Sequence, residues 1–296
     1  MIRYSIIIPH YNSFLLLRRC LDSIPKREAV QVIVVDDNSD KKELLDELQV
    51  AYPHVHVISL LQNGGGGKAR NEGLRIAQGK WILFADADDY FEPDAYDIID
   101  EHYDSKADVV YFEAISRDSI TGENSDRAYI FNTLIENYEK GGAHAIALRY
   151  RHYVPWAKMI KRDLIMYHHI NFEEIRYSND VMFSAQVGYF AKLVEVDRRP
   201  IYCITTNSQS LTRSMDKEAV MCRYEATLRY NAFLKQIGAG RYRAVLIRYL
   251  ILGLRSGCFC VFRMIKKGLS CRTNFLAGLN RWRQFFDKHR RQLSHF

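Results

Sequence analysis

Short apolar runs alternate with helix-like segments over the first hundred residues, and this alternation limits the possible folds more than any other feature of the sequence. Apolar, β-branched strands separated by helices are typical of a parallel sheet covered on both faces. The sequence therefore predicts an α/β fold with a mostly parallel central sheet. We predict strands at Tyr4–Ile8, Gln31–Val35, Val55–Leu60 and Lys80–Ala85, with intervening helices at Phe14–Ser23, Lys41–Tyr52 and Lys68–Ala77.

A polar cluster follows each of the four predicted strands. In open sheets of this kind, ligands bind beyond the carboxyl ends of the strands. Any one cluster could be a helix cap or a turn, but four of them at successive strand ends indicate a binding site. The clusters are Pro9-His10-Tyr11-Asn12, Asp36-Asp37-Asn38-Ser39, Asn63 with four glycines, and Asp86-Ala87-Asp88-Asp89.

The fourth cluster indicates a divalent-cation site. The chain curls where a strand ends, so the carboxylates of Asp86 and Asp88 can converge on one ion. Magnesium and manganese prefer carboxylate oxygens together with the phosphate oxygens of a substrate. An EF-hand is excluded because Phe91 stands where its glycine is required. A solvated acidic loop is the alternative.

The glycine run Gly64–Gly67 leads into a predicted basic helix that carries Lys68 and Arg70. Backbone amides at a helix N-terminus, together with two cations, suit a diphosphate. A nucleotide-triphosphate loop is excluded because Ala69 stands where serine or threonine must follow the lysine. The dinucleotide fingerprint is also excluded, since the run follows the third strand and not the first.

Four motifs in this order and spacing resemble those of the family 2 glycosyltransferases, nucleotide-sugar enzymes with the GT-A fold. They are Ile6-Ile7-Ile8-Pro9-x-Tyr11-Asn12, Val34-Val35-Asp36-Asp37-x-Ser39, Asn63-x-Gly65-x-x-x-Ala69-Arg70-Asn71-x-Gly73 and Phe84-x-Asp86-x-Asp88-Asp89. The resemblance covers about the first hundred residues. Further on, Trp156-x-Lys158 resembles the acceptor-side segment of the family, and Phe172-x-Glu174 with Asp180-Val181-x-Phe183 resembles the segment that carries its catalytic base.

The resemblance implies roles for these residues in an inverting, metal-dependent hexosyltransferase. Asp88 would bind Mn²⁺ or Mg²⁺ at the diphosphate, with Asp86 near the ribose and the metal, and Asp180 would deprotonate the acceptor hydroxyl. The nucleotide of a UDP-sugar would be held by Pro9, Tyr11, Asn12, Asp36, Asp37, Lys68 and Arg70. The acceptor side would include Trp156, Lys158 and Glu174.

Asn179 departs from the family pattern, which usually has glutamate before the catalytic aspartate. Because this like charge is missing, we expect a lower pKa for Asp180. The substitution also leaves open a catalytically degenerate protein that only binds sugar nucleotides. A nucleotidyltransferase is a further alternative, but its glycine signature would follow the first strand, where this chain has Pro9-His10-Tyr11.

The net charge of +7 is distributed unevenly, with −5 over residues 1–240 and +12 over residues 241–296. We expect a nucleotide-sugar-binding half (1–105), an acceptor-binding half of the same domain (106–220) and a basic helical extension (221–296). Ala244–Ile265 is apolar, but three arginines within it disfavour a bilayer span. The sequence instead predicts one interfacial helix with a cationic stripe, followed by a second aromatic and cationic segment, Phe275–Phe296.

We therefore expect residues 241–296 to contact an anionic membrane surface; packing on the catalytic body is the alternative. No recognised nucleic-acid-binding module accompanies the charge, so nucleic acid is not an expected partner. The first apolar run is too short for a signal peptide, and the six cysteines form no metal-ligand pattern. The expected enzyme is cytoplasmic, peripheral on the inner membrane face, and extends a glycan or lipid-linked acceptor in cell-envelope polysaccharide synthesis. UDP-galactose, UDP-glucose and UDP-N-acetylglucosamine all remain open as donors.

Overall fold

The computed structural model describes residues 1–206, 216–255, 257–271 and 273–275. The chain forms two compact units, Met1–Ser210 and Leu211–Phe296. A mixed sheet with flanking helices makes up the described part of the first unit, and the described part of the second unit is helical.

Eight strands form one sheet within the described residues, in the order β3-β2-β1-β4-β7-β6-β8-β5. They are β1 (Tyr4–His10), β2 (Val30–Asp36), β3 (Val55–Ser59), β4 (Trp81–Phe84), β5 (Tyr90–Phe91), β6 (Val109–Asp118), β7 (Lys158–Lys161) and β8 (Val194–Thr206). The helices of this unit are α1 (Phe14–Asp22), α2 (Lys42–Ala51), α3 (Gly65–Ile76), α4 (Ala95–Glu101), α5 (Tyr129–Glu136), α6 (Gly142–Arg151), α7 (Arg162–Tyr167) and α8 (Asp180–Phe190).

The first four strands are parallel, as the sequence predicted. Strand β1 pairs with β2 and β4, and β2 pairs with β3. His10 is in register with Asp36, and Asp36 with Ser59, so the carboxyl ends of β1, β2 and β3 lie level. The polar clusters that follow these strands therefore share one edge of the sheet.

The second half of the sheet is mixed. Strand β7 is antiparallel to β4 and β6, whereas β8 is parallel to β6 and antiparallel to the short β5. Strand β8 is 13 residues long, and its pairing with β6 is irregular around Glu113. Its last residues pass beside the loop that joins β4 to β5, where the acidic cluster lies.

The central strands β1, β2 and β4 are buried on both faces, and helices cover each face. Ile6 and Ile8 of β1 belong to the same buried cluster as Leu17 of α1. Ile7, which points to the opposite face, belongs to a second cluster with Ala69 of α3. Continuous apolar strands arise because both faces are buried, which explains why β1 lacks the alternation of a one-sided sheet.

Helix α3 begins at Gly65, three residues before the predicted start, so the glycine run forms its first turn. Gly67 is required there by close packing: an added Cβ would lie 2.2 Å from the backbone oxygen of Glu173 and 3.0 Å from the Cβ of Asn179. The first turn of α3 therefore packs directly against the segment that leads into α8.

The second unit contains α9 (Lys217–Gln236), α10 (Ile247–Leu254) and α11 (Cys258–Ser270). Asp216 caps α9 by accepting a hydrogen bond from the backbone N–H of Ala219 at 2.8 Å. A separate hydrophobic core joins these helices, formed by Val220, Met221, Tyr224, Leu228, Leu246, Cys260 and Met264.

The prediction of one continuous helix over Ala244–Ile265 is wrong. Gly257, with a φ of +96°, separates α10 from α11, because a left-handed residue cannot continue a right-handed helix. Among the described residues, every helix is too short or too polar to cross a membrane. The predicted segment Phe275–Phe296 lies outside the described residues, apart from Phe275 itself.

Candidate active site

Three carboxylates converge in the loop after β4. Ligand atoms of Asp86, Asp88 and Asp89 lie within 4.8 Å of one another. Asp89 is buried and accepts a hydrogen bond from the backbone N–H of Thr205 at 2.7 Å, whereas Asp86 and Asp88 are partly exposed. Burial, and then the charge of Asp86, raise the pKa of Asp88 to about 6. A divalent cation would relieve this repulsion, so Asp86 and Asp88 fit the predicted metal role while Asp89 organises the loop.

Side chains from distant elements hold the acidic loop in place. The hydroxyl of Tyr202 accepts the backbone N–H of Asp86 at 2.8 Å. The backbone oxygen of Asp88 accepts two bonds, from the hydroxyl of Thr205 at 2.5 Å and from the guanidinium of Arg19. Arg19, Tyr202 and Thr205 could not be predicted, because no local pattern in the sequence links α1 or the end of β8 to this loop.

Arg70 connects the acidic loop to the start of α8. Its guanidinium donates to Asp86 Oδ1 at 2.5 Å and to Asn179 Oδ1 at 3.1 Å, and it lies 5.3 Å from the ring centre of Phe172. Arg70 is only 8% exposed. The residue that the resemblance places near the nucleotide is therefore also the link between the predicted cation site and the predicted base.

Asp180 is the first residue of α8. Part of the residue is exposed, but protein atoms surround its carboxyl, and this burial raises its pKa to about 6 against the opposing charge of Arg70. Burial therefore raises the pKa of Asp180 even though no glutamate stands at position 179 to raise it further. A carboxyl with this pKa is suited to accept a proton near neutral pH.

Trp156 and Lys158, placed on the acceptor side by the resemblance, are only 2% and 1% exposed. Direct contact with an acceptor is therefore contradicted for this pair. Trp156 instead stacks on the ring of Tyr202, with centroids 5.9 Å apart and planes 13° apart. Lys158 Nζ donates to the backbone oxygen of His152 at 2.6 Å, and burial lowers the pKa of Lys158 to about 7.

Glu174 differs from that pair, since it is exposed. Its carboxylate accepts a long hydrogen bond of 3.4 Å from Asn71 Nδ2. Asn71 also exchanges hydrogen bonds with the backbone of Phe172, at 2.8 and 3.0 Å. Asn71 follows Arg70 in α3, so this bond holds the exposed carboxylate of Glu174 near Arg70 and the start of α8. Glu174 is therefore placed where it can serve the predicted acceptor side of the site.

The aspartates after β2 are buried and already bonded to protein. Asp36 accepts from Lys42 Nζ and from the backbone N–H of Ser39, both at 3.1 Å. Asp37 accepts the backbone N–H groups of Gly64 and Gly65, each at 2.7 Å. The backbone amides of Gly64 and Gly65, which the sequence suggested for binding a diphosphate, are therefore occupied by the Asp37 carboxylate at the N-terminus of α3.

The other predicted nucleotide contacts stand at the open edge of the sheet. Tyr11 and Asn12 are exposed, and Pro9 and Lys68 are partly exposed. Asn12 has a φ of +52° and its backbone N–H donates to the hydroxyl of Ser39 at 2.9 Å, which ties the loop after β1 to the loop after β2. Side chains that can reach a ligand thus lie around the buried aspartates.

Comparison with solved structures agrees with this architecture. The chain superposes on Staphylococcus aureus TarS 1–349 in complex with UDP-GlcNAc with a TM-score of 0.66 at 21% identity, over 91% of this chain and 81% of that chain. At this level of identity the likeness shows the fold alone, which is the GT-A fold that the sequence predicted.

Relatives in sequence are glycosyltransferases of bacteria. The putative glycosyltransferase EpsH of Bacillus subtilis is 25% identical over 266 residues, which is 84% of this chain and 74% of EpsH. A poly(ribitol-phosphate) beta-glucosyltransferase of Bacillus spizizenii is 41% identical over 100 residues, 31% of this chain and only 16% of that protein. The sequence profile of Glycosyl transferase family 2 matches residues 5–168, more than half of the chain and all four polar clusters. This chain therefore belongs to glycosyl transferase family 2.

Proposed function

We propose that the chain transfers a sugar from a UDP-sugar to an acceptor hydroxyl with inversion, with a divalent cation at Asp86 and Asp88 and with Asp180 as the general base. The observation that carries the proposal is the pair of hydrogen bonds made by Arg70. One buried guanidinium contacts Asp86 on one side and Asn179, the neighbour of Asp180, on the other. Arg70 thus connects the proposed cation site to the residue that precedes the proposed base, which supports a joint role for the two in one displacement.

The charges of the site suit this reaction. Asp180, with a pKa of about 6, is mostly ionised at pH 7.5 and can accept the proton of the hydroxyl. When bound, a divalent cation would neutralise charge on the departing diphosphate. The exposed ring of Tyr11 is available to contact the base of the nucleotide, and the partly exposed Lys68 lies in the first turns of α3. The side chain of Asn12 is also exposed, but it exchanges hydrogen bonds with Asp40.

The relatives support a UDP-sugar donor and an envelope-polymer acceptor. TarS was solved with UDP-GlcNAc, and the relative from Bacillus spizizenii is described as acting on poly(ribitol-phosphate). This chain spans about three quarters of EpsH but about a sixth of the poly(ribitol-phosphate) enzyme. An assay is therefore needed to identify the acceptor, whose hydroxyl receives the sugar, and the donor sugar.

A panel of UDP-sugars, with and without Mn²⁺, tests the proposal through release of UDP. Asp88→Ala should lose the metal-dependent turnover. Asp180→Asn should retain UDP binding but lose about 10²- to 10⁴-fold in turnover, the usual contribution of a positioned base. Asp94→Ala, at an exposed position beyond the acidic loop, is the matched control and should keep full activity.

Two results would contradict the proposal. Unchanged turnover in Asp180→Asn would remove the base from the mechanism. Binding of UDP without release from any donor would favour the alternative, a degenerate sugar-nucleotide-binding protein.

We further propose that the helical unit docks on the inner face of the plasma membrane. Phe259 and Phe262 of α11 are 73% and 64% exposed, and Arg263 and Lys266 are exposed on the same helix. Apolar side chains beside cations suit an anionic lipid surface. This arrangement supports the interfacial role predicted for residues 241–296, although two helices replace the single predicted one.

Sedimentation of the full chain with phosphatidylglycerol vesicles tests membrane docking. The double variant Phe259→Ser/Phe262→Ser should lose most of the binding, and phosphatidylcholine vesicles should bind the unchanged chain weakly. Cys260 and Met264, which are buried in the core of this unit, remain untouched, so the fold is preserved. Undiminished sedimentation of the double variant would refute the docking surface.

A further inference from the structure

Asn179 is fixed from several directions at the point where α3 meets the start of α8. Its Oδ1 accepts from Arg70 at 3.1 Å, and its Nδ2 donates to the backbone oxygen of Ile175 at 3.4 Å. Its own backbone oxygen accepts the N–H of Glu173 at 3.2 Å. A side chain held in this way presents its amide oxygen to Arg70 in one orientation.

Arg70 has two acceptors of unequal charge. The bond to the Asp86 carboxylate, at 2.5 Å, is shorter than the bond to the neutral amide of Asn179, at 3.1 Å. Hydrogen bonds between ionised groups are both shorter and stronger than those with one neutral partner. Arg70 is also nearly buried, so water competes little for its guanidinium. The positive charge of Arg70 therefore interacts mainly with the carboxylate of Asp86.

We propose that Asn179, because its side chain is neutral, leaves the charge of Arg70 on Asp86 and so limits the affinity of the acidic loop for a divalent cation. The inference rests on the proposed function, because it takes Asp86 and Asp88 as the cation site. A carboxylate at position 179 would compete for the same guanidinium, draw it towards α8 and leave Asp86 with more negative charge. With asparagine at position 179, the acidic loop alone would bind a divalent cation weakly. More of the binding energy of the cation would then come from the phosphates of the nucleotide, so both could dissociate together.

Titration of Mn²⁺ by electron paramagnetic resonance, in the presence of UDP, measures this affinity without turnover. Asn179→Asp changes the charge but hardly the shape, and it should bind Mn²⁺ about tenfold more tightly, as expected for one added charge in a partly buried site. Asn179→Ala, which removes the amide but adds no charge, should stay within about twofold of the unchanged chain. A purely structural role for Asn179 would give weaker binding in both variants.

A second pair of variants separates the action through Arg70 from a direct effect of the new charge. In an Arg70→Gln background, Asp86 no longer pairs with a positive charge at position 70. Adding Asn179→Asp to that background should therefore tighten Mn²⁺ binding by less than about threefold. A full tenfold gain in that background would overturn the proposed action through Arg70, because the new carboxylate would then act on the cation directly. If Arg70→Gln does not fold, Arg70→Met gives the same comparison, because it also removes the positive charge that pairs with Asp86.

The outcomes distinguish this inference from the proposed function. Absence of Mn²⁺ binding to the unchanged chain with UDP would refute the cation site itself. Binding to the unchanged chain, combined with unaltered or weaker binding to Asn179→Asp, would refute only the role of Asn179.

Discussion

Asp180→Asn should make the protein more stable while it removes the proposed catalytic base. Burial raises the pKa of Asp180 from 3.8 to about 6, so the folded state holds its proton more tightly than the unfolded state does. By linkage, stability then falls as the pH rises from about 4 to about 6, and the full cost of the ionised carboxylate is present above pH 6. Asparagine occupies the same space without that charge.

The size of the effect follows from the shift in pKa. One pKa unit corresponds to about 1.4 kcal/mol, so a shift of about two units gives a gain of up to about 3 kcal/mol at pH 7.5. At pH 5 part of the cost is already relieved by protonation, and the gain should fall to about 1.5 kcal/mol. In a unit of this size, 3 kcal/mol corresponds to a rise in melting temperature of roughly 6 to 12 °C.

Urea unfolding of both proteins at pH 7.5 and pH 5, monitored by tryptophan fluorescence, measures the difference. Asp197→Asn is a control of opposite sign. Burial raises the pKa of Asp197, but hydrogen bonds from Arg199 and His102 outweigh it and lower the pKa to about 2. Its stabilisation is present above about pH 4 and is lost only as the pH falls towards 2, so Asp197→Asn should destabilise the protein at pH 7.5.

The reasoning would be refuted by an Asp180→Asn protein that is no more stable than the unchanged chain at pH 7.5. A gain that is equal at pH 5 and pH 7.5 would also refute it, because ionisation of Asp180 would then have no part in the effect.

Three further predictions concern the same site. The kcat/KM for sugar transfer should fall about tenfold per pH unit below about pH 6, because Asp180 must be ionised to act as a base; a pH–rate profile that is flat from pH 5 to 8 contradicts this. Gly67→Ala should destabilise the protein by about 1 to 3 kcal/mol in thermal unfolding, since the new Cβ meets the backbone of Glu173, whereas Gly64→Ala meets only the movable side chain of Lys68 and should be tolerated. Tyr202→Phe should weaken Mn²⁺ binding with UDP, because the backbone N–H of Asp86 loses its acceptor, and it should leave the stacking on Trp156 intact in near-ultraviolet circular dichroism.

The parallel half of the sheet could be predicted closely from the sequence. The predicted strand bounds agree with β1 to β4 within two residues at each end, because fully buried strands leave continuous apolar runs. The position of the polar clusters could be predicted as well, since the carboxyl ends of parallel strands lie at one edge of the sheet. Local chemistry therefore led to a predicted cation site at Asp86 and Asp88, whereas Asp180 was indicated only by the resemblance of its segment to the family.

The remaining features depend on contacts between distant parts of the chain. A lysine is normally exposed, so nothing around Lys158 in the sequence indicates its burial beside His152. The glycines before Lys68 read as a loop, and only the approach of Glu173 explains why they form a helical turn. Gly257 likewise gives no sign in the sequence that it adopts a left-handed conformation between α10 and α11.

The support of the acidic loop by β8 has a consequence for synthesis of the protein on the ribosome. The hydroxyl of Thr205 bonds to the backbone of Asp88 across 117 positions of the chain. At about 5 to 20 residues per second, translation needs roughly 6 to 25 s to make the residues between them. Until then a nascent chain has its acidic residues but lacks the strand that holds them in place. The acidic loop of a newly made chain thus lacks its final support until the first unit is almost fully translated.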